Sequence, residues 1–217
     1  MIPMPGTAKG QTLFDLSGGH PALDLVNSLD NRFRHDGPNE ILVGYGELLR
    51  FLGESELLDT RQIRLLGKGA SGAAAEQTLR SVRELREAAA GVFYAAFEQR
   101  APAPADIKTL ERCFLAASQH RELHWQTAAQ GHRHLHANIA WQWAVSEADP
   151  NLPLWILSQS VSDLLLSEDL TRVRTCDVDT CRWLFLDTSK NHTRRWCNMK
   201  VCGNRMKARR FQARREG

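Results

Sequence analysis

The sequence predicts an α+β fold: a mostly helical N-terminal domain with a small β-hairpin, then a small β/α finger tied together by cysteines. Three observations lead there. Apolar side chains recur at three- and four-residue steps through much of residues 21–165, the period of buried helix faces. That period is lost over 122–143, where Trp and His alternate with polar residues as in a strand pair. Finally, four of the five cysteines fall in the last quarter of the chain as two pairs, Cys176 with Cys181 and Cys197 with Cys202.

The cysteine spacing carries chemistry. Four residues separate the members of each pair and fifteen separate the pairs, so each pair bends the backbone into a short loop and both loops converge on one point. Four thiolates in a tetrahedron are the preferred cage for Zn2+. The alternatives are two disulfides or four unrelated core thiols. Disulfides require an oxidising compartment, and the opening Met1, Ile2, Pro3 and Met4 show neither the basic flank nor the apolar run of a secretory signal. The expectation is one structural zinc per chain on Cys176, Cys181, Cys197 and Cys202, in a cytoplasmic protein without a membrane span. Such a site leaves no open position for water, so the metal is expected to do no catalysis and the chain is read as not an enzyme. Cys113 has no Cys or His partner at ligand spacing and reads as a small core side chain.

Further residues around the pairs add a resemblance. The run Trp183, Leu184, Phe185, Leu186, Asp187, then Arg194, Arg195, Trp196, Cys197, then Cys202, Gly203, Asn204, Arg205 is similar to a CGNR-type zinc finger. Asn198 stands where the resemblance suggests a serine. The stretch Gly19, His20, Pro21, Ala22, Leu23, Asp24, Leu25, Val26, Asn27, Ser28 resembles the start of the ABATE domain that commonly precedes such a finger. The resemblance implies a zinc-dependent DNA-binding module joined to a domain of stress-induced transcription regulators.

Charge supports a polyanion partner independently. The net charge is +3, yet residues 172–217 hold thirteen Lys or Arg against four Asp or Glu, a formal +9, while residues 1–171 sum to −6. Four thiolates on a divalent ion leave the finger at about +7. Sign segregation of this kind is the electrostatic footprint of nucleic acid. The expected contacts are Arg194, Arg195, Arg205, Lys207, Arg209, Arg210 and Arg214, most of them on a basic helix after Cys202. DNA is the expected partner, with RNA or the ribosome as the alternative, since folded RNA presents phosphates equally well.

In chain order, residues 1–10 are rich in Pro and Gly and read as an arm; 12–16 reads as a short strand. Pro21 suits a helix start, and Leu23, Val26 and Leu29 give 21–30 a helical stripe. A polar loop over 31–39 precedes helices at 45–52 and 59–66. Three glycines in 67–72 mark a linker; no GK[ST] ending supports a phosphate loop there. The longest helix carries Leu79, Val82, Leu85, Ala89, Val92, Phe93 and Phe97 inward, and prolines at 102 and 104 stop it. A helix over 105–118 turns Ile107, Leu110, Phe114 and Ala117 inward. The last one before the finger carries Leu154, Leu157, Val161, Leu164 and Leu165. Domain limits of 1–171 and 172–217 follow. Since no Gly/Ser-rich linker separates them, the finger is expected to dock on the larger domain.

The hairpin is read as strands at 123–127 and 132–136. It would place His132, His134 and His136 on one face near Trp125, Trp141 and Trp143. A small-molecule effector pocket built from Asp24, Asn27, Trp125 and His134 competes with a plainer reading, in which Asp24 and Asn27 cap backbone and the histidines face water. A two-fold dimer suits a DNA binder, though no heptad seam marks one. Within the finger, 183–187 reads as a strand with Trp183 and Phe185 on one face, and one of its two faces must cover the metal; 191–196 reads as a short helical segment and Gly203 as a positive-φ turn.

Overall fold

The structure is a computed structural model that describes residues 13–68, 72–126 and 138–215. The N-terminal arm, the middle of the 67–72 linker and the 132–136 strand with its three histidines lie outside the described residues.

Helix α1, Pro21–Asn27, starts where His20 Nδ1 accepts the Ala22 amide at 3.2 Å and Pro21 presets the first turn. It is short and almost wholly buried, with Ala22, Leu23 and Leu25 at 0 % exposure. The helix ends at Asn27, short of the expected residue 30. Ser28 turns its hydroxyl back to the Leu25 carbonyl at 2.6 Å, and Leu29–Asp30 (β1) leaves to pair with Asn39–Glu40 (β2). Helices α2, Tyr45–Glu54, and α3, Thr60–Lys68, form a pair. Asp59 and Gln62 exchange side-chain-to-amide bonds of 2.8 and 3.0 Å before α3, a reciprocal cap.

The body of the domain is α4, Ala73–Phe97, packed against α5, Pro104–Gln119, and α6, Leu152–Leu165. Phe51, Leu85, Phe93 and Leu157 are fully buried where α2, α4 and α6 meet. Among the described residues, one cation enters this core. Arg86, 3 % exposed, forms two 2.7 Å bonds to the Glu40 carboxylate and so fixes β2 to α4.

Several expectations are corrected. Residues 13–16 form no strand, because the Leu13 and Phe14 amides bond to the Glu54 carboxylate at 3.0–3.1 Å instead of a ladder, and Phe14 packs edge-on against Phe51. Ile107, expected inward, is 46 % exposed, whereas Leu110 and Ala117 do face inward and Cys113 joins them as the small core side chain expected. The strand opposite β3, Arg121–Gln126, is β4, Asn138–Trp143, in a register running from Arg121 opposite Trp143 to Gln126 opposite Asn138. The sequence reading placed that strand at 132–136, although Ile139, Trp141 and Trp143 alternate as clearly.

After α6, one turn of 3-10 helix, Glu168–Arg172, leads into β5, Val173–Thr175, which pairs antiparallel with β6, Leu184–Leu186. Among the described residues no helix is long and apolar enough to cross a membrane.

Candidate metal centre

The first cysteine pair flanks a tight loop. The Val178 carbonyl accepts the amides of both Cys181, at 2.8 Å, and Arg182, at 3.0 Å, while Val178 itself is fully buried. Closing that loop sends Arg182 to φ 51°, a left-handed conformation that favours glycine. Two contacts hold it there: the Tyr94 hydroxyl donates to the Arg182 carbonyl at 3.0 Å, and the guanidinium lies 4.8 Å from the Phe33 ring.

The second pair brackets a wide helical turn, Met199–Gly203, which runs on into α7, Asn204–Ala213. Asn198 starts it, its side-chain oxygen accepting the Lys200 and Val201 amides at 3.0 and 3.4 Å. Gly203 does not take the expected positive φ. Its missing side chain serves packing, since a Cβ there would collide with the Met199 sulfur.

Both loops bring their sulfurs to one point. The four Sγ atoms lie within 4.8 Å of one another, with Cys181 to Cys197 at 3.7 Å and Cys197 to Cys202 at 3.8 Å. Ligands about 2.3 Å from a shared zinc stand about 3.8 Å apart along each edge of a tetrahedron, so the donors fit that ion. A disulfide would require sulfurs about 2.0 Å apart, and all five cysteines are free. Protonation chemistry agrees. Its neighbours Cys181 and Cys197 hold the Cys176 thiol far below the ordinary range, helped by the Cys197 and Val178 amides. That first thiolate then pushes Cys181 and Cys197 upward, and burial raises Cys202. Burial and the first thiolate thus disfavour ionisation of the other three, and all four can be thiolates together only around a cation. Phe185, Trp183, Trp196 and Met206 pack against the cysteine cluster, leaving Cys176, Cys197 and Cys202 buried and Cys181 partly so. Trp183 and Phe185 share one face of the strand, as expected, and of the two faces it is this one that covers the cysteines.

Strand β6 is the seam between finger and helices. Phe185 packs on the cysteine cluster, whereas Leu184 and Leu186, on the opposite face, belong to the core of the helical domain. Its edge away from β5 is closed by side chain and loop. Asn27 donates to the Leu184 carbonyl at 2.9 Å and accepts the Leu184 amide at 3.0 Å, and the Gly18 carbonyl accepts the Leu186 amide at 2.8 Å. The Gly18 amide in turn donates to Asp24 at 2.8 Å. A side chain on residue 18 would press on Asp24 and Asn27. Burial pushes the Asp24 carboxyl up to about 7, against the lowering effect of the Gly18 bond and with Asp15 adding to the rise. The Trp183 indole N–H donates to Asp30 at 2.9 Å.

These contacts involve two of the residues expected to form an effector pocket. Asp24 and Asn27 lie side by side but are buried and used on backbone groups of the seam. Trp125 is 64 % exposed on β3, and His134 lies outside the described residues.

The basic residues divide. Arg194, expected to flank the nucleic-acid face, points inward: Nε donates to the Trp196 carbonyl at 2.9 Å, Nη2 to the carbonyls of Cys197 and Ser17, and the guanidinium lies 4.5 Å from the Phe185 ring. Residues 193–196 accordingly form no helix. Arg195 is exposed and pairs with Asp177 at 2.5 Å. On α7, Arg205, Lys207, Arg209 and, just beyond, Arg214 are exposed and have no acidic partner among the described residues. The side chain of Arg210 lies outside the described set. Met206 anchors the helix on the cysteine cluster.

Sequence reasoning missed Asp187. Fully buried, its carboxylate accepts the Ser189 amide and hydroxyl at 2.9 and 2.5 Å and the Arg194 amide at 2.9 Å, shaping the whole 188–194 loop. Burial alone would raise its pKa, yet these donors, with the hydroxyl foremost, hold it below the usual carboxylate range. The signal was an acidic residue closing an otherwise apolar strand, directly before Thr188 and Ser189.

A family model described as "CGNR zinc finger" matches residues 172–215, and one described as "Putative stress-induced transcription regulator", the ABATE family, matches residues 19–168. No curated protein matches the chain significantly. With more than half its length covered by the second match, the chain belongs to the ABATE family and ends in a CGNR zinc finger, whose Cys176, Cys181, Cys197 and Cys202 hold one structural zinc.

Proposed function

We propose that the protein is a DNA-binding transcription regulator in which zinc fixes a basic helix for contact with phosphates, while the helical domain acts as its scaffold. The observation that carries this reading is α7. Arg205, Lys207, Arg209 and Arg214 are exposed and have no acidic partner among the described residues, although the other 171 residues of the chain are net acidic. Guanidinium groups donate paired hydrogen bonds to phosphate, and the ends of such a helix reach base edges in a major groove. Anchoring by Cys202 and Met206 sets the direction of α7 before any ligand arrives, so little ordering is left to binding. The metal contributes folding energy and position alone, and the site is non-catalytic because four thiolates fill its coordination sphere.

The test is salt dependence with the full-length, zinc-loaded chain. About four to six phosphate contacts give a log–log slope of affinity against salt of about −4 to −5 on duplex DNA. Lys207→Ala with Arg209→Ala is expected to flatten the slope by about two without changing zinc content. Structured RNA competing better than duplex DNA would move the partner to RNA. A slope near zero with both would sink the reading.

A further inference from the structure

The ribbon β3–β4 carries a surface that neither the metal nor the basic helix uses. Its strands pair only with each other among the described residues. Alternation and register place Leu123 and Trp125 on one face with their cross-strand partners Trp141 and Ile139. On that face Leu123 is 59 % exposed, Trp125 64 %, Ile139 60 % and Trp141 54 %. Together they leave about 500 Å² of mostly apolar surface open, at the upper end of what a monomer shows. The cation at its margin, Arg121, lies 5.1 Å from the Trp141 ring and 5.6 Å from the Trp143 ring. A nucleic acid or an anionic membrane would meet a net-acidic domain here, so the chemistry selects a protein surface.

The pattern on the face says which protein. Leu123 stands opposite Trp141 and Trp125 opposite Ile139, so the two indoles occupy one diagonal of a square and the two aliphatic side chains the other. Turn a second copy face down about a two-fold axis lying between the ribbons. Whether that axis runs along the strands or across them, every indole falls over an aliphatic side chain of the other copy, large against small. A surface self-complementary under a two-fold is the requirement for an isologous dimer. Two such faces bury about 1,000 Å², the lower bound for a specific interface, and only because both sides contribute.

We propose that the occupant is a second copy of this chain, packed face to face through the β3–β4 ribbon. Sedimentation of the full-length, zinc-loaded protein between about 1 and 100 μM, without nucleic acid, is expected to show a monomer–dimer equilibrium. Trp141→Glu is expected to weaken it at least 100-fold, equivalent to about 2.7 kcal/mol, by burying an unpaired charge. Glu122→Lys, on the opposite face of the same ribbon, leaves it unchanged. Because a single variant can also act by unfolding the ribbon, the deciding step is a mixture. Trp141→Glu chains combined with Leu123→Lys chains re-associate if the axis runs along the strands, and with Ile139→Lys chains if it runs across them. A wild-type chain that stays monomeric overturns the proposal, as does failure of both mixtures or equal loss with Glu122→Lys. None of these outcomes touches the nucleic-acid reading, which the salt slope tests separately.

Discussion

Replacing Asn27 by Ala removes a clamp that joins residues 157 positions apart. Asn27 is 3 % exposed and Leu184 fully buried, so water cannot easily replace the 2.9 and 3.0 Å bonds that the side chain makes to the Leu184 carbonyl and amide. A buried donor or acceptor left without a partner costs about 1–3 kcal/mol, and here one of each is orphaned. The cavity left by the lost amide adds a little. We expect a loss of about 3–4 kcal/mol in urea unfolding, a large fraction of the stability of a domain this size. Since β6 also carries Phe185 against the sulfurs, part of that loss is expected in the metal site. Competition with a chromogenic chelator reads it directly: Asn27→Ala should give up zinc at about tenfold lower chelator concentration. Asn27→Asp keeps an acceptor for the Leu184 amide but faces the carbonyl with a carboxylate, and should be no better than Ala. If Asn27→Ala loses under about 1 kcal/mol and keeps wild-type zinc affinity, finger and helices are not coupled through this side chain.

Removing zinc from the wild-type chain should loosen more than the finger. Leu184 and Leu186 sit in the main core and Arg194 reaches the Ser17 carbonyl, so chelation is expected to speed amide exchange in α1 as well as after residue 172; unchanged protection in α1 would refute this. Asp24→Asn tests the buried carboxyl. Its folded pKa of about 7 lies above the unfolded value of 3.8, so its contribution to stability is complete below pH 3.8 and is lost as pH rises through 7. The Asn variant keeps an acceptor for the Gly18 amide and has nothing to titrate. Its stability relative to wild type should therefore grow by about 2–3 kcal/mol between pH 5 and pH 8, and parallel pH profiles would contradict the burial argument. Asp187→Ala orphans three donors of the 188–194 loop, and we expect a fall in melting temperature of at least about 5 °C with weaker zinc retention, measured by calorimetry and metal analysis.

What the sequence discloses is what local spacing encodes. Cysteine pairs that close short loops, and helices whose apolar residues repeat at their own period, were readable because the partners lie within a few residues of each other. The seam was not. Nothing near Asn27 indicates that its amide belongs to the backbone of residue 184, and Asp187 could not be told from a strand-ending acid. Arg194 was misplaced for a related reason: a guanidinium serves phosphate and backbone carbonyls with the same donors, and only the approach of Trp196, Cys197 and Phe185 chooses between them. The displaced strand came from competition between two alternating stretches, 132–136 and 138–143, where pairing with β3 depends on the connection between them.

Strand β6, apolar on both sides, limits how this protein can be cut and recombined. A fragment starting at residue 172 would expose Leu184 and Leu186 together with an unpaired strand edge, a combination that invites self-association. Grafting the finger onto another scaffold would require carrying Gly18, Asp24 and Asn27 along with it. The inheritable piece is thus discontinuous in the chain: a short N-terminal stretch and the cysteine-bearing end, with the long helices inserted between them.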